Sequence, residues 1–113
     1  MGYTWALDNP GVIKCAVGIY PLLSLTDYAG VPTFSRAWGV TEQWMWDNLS
    51  AHSPLLRVDE VNFPVLHLHG TDDQVVPMRE FAGTLVEIEG EGHNSSDKFF
   101  KNQLIVDFIK GHL

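Results

Sequence analysis

Three stretches of the chain carry the hydrophobic pattern of strands. Residues 12–20, VIKCAVGIY, are almost continuously apolar and lie between Gly11 and Pro21. Such a run predicts a strand buried on both faces. Residues 64–69, PVLHLH, end at Gly70 and predict a second strand. Residues 84–89, TLVEIE, alternate, so that Val86 and Ile88 face one way and Glu87 and Glu89 the other. That alternation suits a strand near a sheet edge.

Helical patterns separate these strands. Residues 3–8 read as the end of a helix stopped by Asn9-Pro10-Gly11. Residues 22–40 read as loop, and a helix carrying Trp44, Trp46 and Leu49 starts near Thr41. Ser53-Pro54 reads as the cap and first position of a short helix, PLLRVDEV. Near the end, Phe100, Leu104 and Phe108 recur every four residues beside Ile105 and Ile109. Ser95 to Asp97 can cap that helix and Gly111 follows it. The expectation is one domain over residues 1–113 of the α/β class. It would be a small, mostly parallel sheet of about three strands, in three layers with flanking helices.

Composition narrows the function. With 45% hydrophobic residues in 113, the chain can bury one core but not a large enzyme scaffold. A formal net charge of -7, with seven scattered Lys and Arg, argues against nucleic acid and anionic membrane as partners. No apolar run reaches the roughly 20 residues of a membrane span. The first residues lack the basic-then-apolar order of a signal peptide, so a cytoplasmic protein is expected. Cys15 is the sole cysteine, which rules out an internal disulfide and predicts a small buried apolar side chain.

In a parallel sheet the chemistry collects in loops past the carboxyl ends of the strands. Two such loops stand out here, HGTDD at residues 69–73 and GEGHN at 90–94. Together with SPLLRVDEVNFPVLHLHGTDDQVVP before them and IVDFIKGHL at the end, they resemble the C-terminal part of the α/β-hydrolase superfamily. The likeness is to its prolyl-oligopeptidase-like and dienelactone-hydrolase-like branches. That resemblance implies a partial α/β-hydrolase fold, with Asp73 as the triad acid and His93 as the base. It implies ester or peptide substrates and no cofactor. Asp72 competes with Asp73, and its alternative role is a turn residue.

The same resemblance aligns residues 2–7, GYTWAL, with the segment just after the family's nucleophilic serine, which would fall before Met1. Ser24, Ser35, Ser50, Ser53, Ser95 and Ser96 remain, none of them on a predicted strand-to-helix elbow. The expectation is therefore an acid and a base without a nucleophile, inactive or very weak alone. A separate chain supplying the serine would complete it, and a non-catalytic binding module is the alternative. The spacing is tight as well. His93 follows Asp73 by twenty residues, which leaves only Met78 to Gly83 for a crossover helix.

Three further readings complete the picture. His67 and His69 share one strand face and could ligate a metal, although no acid stands two residues after His69 as in metallo-β-lactamase-like hydrolases. No metal site is expected. Trp38, Trp44 and Trp46 fit either core packing or a pocket lining. The first strand, apolar and without an outer neighbour, is expected to make the chain a homo-oligomer through its exposed edge.

Overall fold

The strand-forming segments pair in the order in which they occur. The computed structural model describes residues 2–29, 39–94 and 96–113. Its helices are α1 (Gly2–Asp8), α2 (Leu25–Ala29), α3 (Gln43–Ala51), α4 (Asp97–Phe100) and α5 (Gln103–Gly111), with a 3-10 segment at Pro54–Glu60. The strands are β1 (Ala16–Ile19), β2 (Val65–Gly70) and β3 (Thr84–Ile88). They form one all-parallel sheet in the order β1-β2-β3, with Ala16 opposite Val65 and Leu66 opposite Thr84. The chain is a small α/β fold, as its pattern predicts.

Burial follows from that order. The central strand β2 is buried at all six positions, because it alone has a neighbour on each side. On one face Val65 packs with Phe63, with Ala6 and Leu7 of α1, and with the half-buried Tyr3 and Ile13. On the other, Leu66, Leu68 and Ile88 pack on Phe99, with Ile105 and Phe108 alongside. The sheet therefore lies between α1 and the C-terminal helices. Among the described residues no helix is long and apolar enough to cross a membrane.

Several expectations change. The first strand covers only Ala16–Ile19 and is mostly half-buried, with Val12 63% exposed and Cys15 half-buried. Its first ladder bond runs from Ala16 N–H to Pro64 C=O, and residues 12–15 have no strand opposite them. Length is set by the partner here, not by the apolar run. Trp44 of α3 is 64% exposed and Trp46 half-buried, so neither is core. Trp38, Ser35 and Ser95 lie outside the described residues.

The C-terminal helix is two helices. Asn102 breaks it and caps α5, its side chain accepting from Leu104 N–H, while Ser96 caps α4 by accepting from Lys98 N–H. The break shifts the helical phase. Phe99 is fully buried while Phe100 is 54% exposed, and α5 turns Ile105 and Phe108 inward rather than Leu104. Ser53 does not cap the 3-10 segment. Its hydroxyl donates to Leu49 C=O and accepts from Leu25 N–H, tying α2 to α3.

No helix forms between β2 and β3. Residues 71–83 cross over as irregular backbone, too few to build the usual helix and still return to the sheet. Arg79 anchors this segment to α2 through two 2.7 Å hydrogen bonds to the Asp27 carboxylate. At its end Gly83 has φ +76 and sits where a Cβ would strike the Val65 carbonyl, so only glycine fits.

Candidate functional site

The loops after β2 and β3 are stitched together at the carboxyl rim of the sheet. Thr71 N–H donates to Ile88 C=O (3.1 Å), Asp72 N–H to Glu91 C=O (3.0 Å), and Gly90 N–H to the Thr71 hydroxyl (2.8 Å). Gly70 makes this approach possible, because a Cβ there would collide with the Glu91 carbonyl. The second loop is held from outside as well, by Glu91 with Lys98 at 3.0 Å and with the Asn94 amide at 3.2 Å.

This stitching brings Asp73 and His93 together despite the tight crossover. The His93 Nδ1–H donates to Asp73 Oδ2 at 3.0 Å. Asp73 is held independently of His93, since its other oxygen, Oδ1, accepts from Val75 N–H (2.9 Å) and Val76 N–H (2.8 Å). Its side chain is 1% exposed, whereas that of His93 is 31% exposed. Burial alone would raise the pKa of Asp73. The N–H groups of Val76 and Val75, together with His93, outweigh it and hold the carboxyl below its ordinary 3.8. Asp73 is therefore a carboxylate across the physiological range. Asp72 is exposed and contributes only its backbone N–H.

His69 supports this arrangement. Its Nε2 lies 2.8 Å from Val76 C=O and 3.3 Å from Asp73 Oδ2, and the side chain is 2% exposed. A proton on Nε2 serves both acceptors and fixes the turn whose N–H groups hold Asp73. His67 lies on the same strand face, as alternate positions must. Its Nε2, however, accepts from the Tyr3 hydroxyl at 2.5 Å, and its ring stacks on Phe81 at 5.7 Å. Burial, and then nearby His69, lower the His67 pKa from 6.5 to about 4, so it is neutral. Burial pushes the Tyr3 hydroxyl upward, which keeps it a donor. With Nε2 of both histidines engaged in this way, no group of three or more His, Cys, Asp or Glu among the described residues is arranged to hold a metal.

Sequence reasoning missed Tyr20. It follows β1 at the same rim, its N–H bonded to Leu68 C=O at 2.7 Å, and its φ is +37. A non-glycine residue there costs about 1–2 kcal/mol. The turn folds the phenol ring over His93, with centroids 4.1 Å apart, and against Phe99 at 5.4 Å. The position immediately past a strand, in line with the other two loops, was the available signal.

The remaining described serines have structural partners or none at the rim. Ser24 bonds Thr26 at 2.9 Å, Ser53 ties α2 to α3, and Ser96 caps α4. Among the described residues no hydroxyl hydrogen-bonds His93 Nε2. Chemically, the rim holds a buried carboxylate, an imidazole oriented by it, and an open ring nitrogen that can accept a proton. No protein-family model and no curated protein sequence matches the chain.

Proposed function

We propose that the chain carries the acid–base half of a serine-hydrolase site of the α/β-hydrolase kind. Asp73 fixes the tautomer and orientation of His93, and His93 Nε2 takes the proton of an attacking hydroxyl. No described hydroxyl meets His93 Nε2, so water serves for slow hydrolysis, and a serine brought to the rim gives faster turnover. The substrates are small esters or peptide bonds. The single observation that carries this reading is the 3.0 Å contact between His93 Nδ1 and Asp73 Oδ2, with the acid buried and the base exposed.

Hydrolysis of a short-chain aryl ester tests it. The intact chain shows a slow rate, which falls in His93→Ala and, less steeply, in Asp73→Asn. Equal rates in the intact chain and His93→Ala remove the base from its role and the proposal with it.

A further inference from the structure

Among the described residues the sheet ends in two edges without a further strand, and they differ in character. In β1, Ala16 N–H bonds Pro64 C=O and Tyr20 N–H bonds Leu68 C=O. Main-chain groups alternate along a strand, so residues 16, 18 and 20 turn toward β2 while Val17 and Ile19 turn their N–H and C=O outward. In β3, Ile88 C=O accepts from Thr71 of the central strand's loop, so Glu87 is an outward-facing position. The outer edge of β3 is guarded by exposed Glu87 and Glu89. Charged side chains of this kind discourage strand pairing.

Among the described residues the outer edge of β1 has no such guard. It borders a groove of about 460 Å³ that runs from Gly2 and Tyr3 of α1 past Ile13 and Val17 to Leu22. None of the described residues lining the groove is charged, although the chain has fourteen Asp and Glu. An uncharged strand is the occupant this edge admits, and AVGI of β1 is itself such a strand.

We infer that two copies of the chain pair through β1, antiparallel across a two-fold axis at Gly18. Val17 of each copy then stands opposite Ile19 of the other, and the two pairs exchange four main-chain hydrogen bonds. Neutral groove meets neutral groove, so the net charge of -7 on each copy acts only at longer range. Added salt screens that repulsion and strengthens the dimer. A basic foreign partner would bind more weakly in salt. The inference does not depend on the chemistry proposed for Asp73 and His93.

Sedimentation of the intact chain across micromolar concentrations tests it, beside Val17→Pro and Glu87→Pro. Each proline deletes one outward N–H and leaves the bonds to β2 in place. The intact chain and Glu87→Pro shift from monomer to dimer as concentration rises, more so in higher salt, while Val17→Pro stays a monomer. Should Val17→Pro not fold, hydrogen exchange on the intact chain takes its place. The Val17 and Ile19 amides then slow with increasing concentration, and the Glu87 amide does not. A concentration-independent monomer, a dimeric Val17→Pro, loss of the dimer in Glu87→Pro, or unchanged exchange at Val17 and Ile19 would each overturn the inference.

Discussion

Among the described residues two tyrosine–histidine pairs form, and their surroundings give them opposite properties. Tyr3 and His67 meet inside the fold, between α1 and the central strand, with Phe81 against the ring and no carboxylate bonded to it. Tyr20 and His93 meet at the carboxyl rim, where the imidazole has a buried carboxylate on one nitrogen and is itself partly exposed. In the first pair the tyrosine serves the histidine through its hydroxyl. In the second it serves through its ring face. Identical residue types become a neutral core element and a candidate base, and the difference lies in burial and in one carboxylate.

Acid gives the largest separation between the pairs. The folded pKa of His67 is depressed from 6.5 to about 4, so the unfolded chain takes up the proton more readily. The stability linked to His67 is complete above pH 6.5 and is lost as pH falls through 4, amounting to about 3 kcal/mol. Asp73 acts in the same direction, but its share fades only below its ordinary 3.8. Urea midpoints measured from pH 7.5 down to 4.5 should fall steeply in the intact chain. They should fall much less in His67→Phe, and parallel curves would assign the acid loss elsewhere.

Replacing Asp73 with Asn tests the rim pair directly. The change removes a charge-assisted bond to His93 and disturbs the acceptor of two backbone N–H groups. The expected cost is about 1.5–3 kcal/mol in urea unfolding. Nitrogen-15 spectra should show His93 losing its Nδ1–H preference, and an unchanged tautomer would mean that Asp73 does not orient it. Smaller effects come from removing each tyrosine's hydroxyl. Tyr3→Phe leaves a buried histidine acceptor unpaired and costs about 1–3 kcal/mol. Tyr20→Phe keeps the ring on His93 and stays within about 0.5 kcal/mol. Similar costs at both positions would erase the contrast. His93→Ala should likewise alter stability by less than about 1 kcal/mol, since the side chain is partly exposed, even as it lowers the slow esterase rate.

Much of this fold is legible in the chain because β2, β3 and the C-terminal helices advertise their periods locally. Both rim loops also follow their strands as expected, and the sequence order places Asp73 and His93 on them. What stayed hidden depends on neighbours. The apolar run at 12–20 does not reveal that residues 12–15 lack a strand to pair with. The four-residue repeat of Phe100, Leu104 and Phe108 does not reveal that Asn102 restarts the helix and brings Phe99 inward instead. Tyr3 and Tyr20 carry no local mark of the histidines they meet, 64 and 73 residues further along the chain. Trp44 looks like core by composition, yet α3 buries none of its residues.

One missing carbon ties the scaffold to the chemistry. At Gly70 even a methyl group would act as a wedge between the two rim loops, forcing the Glu91 carbonyl aside. The damage would not stay local: the backbone staples that align one loop with the other would open together, and acid and base would part company while the core beneath them stayed folded.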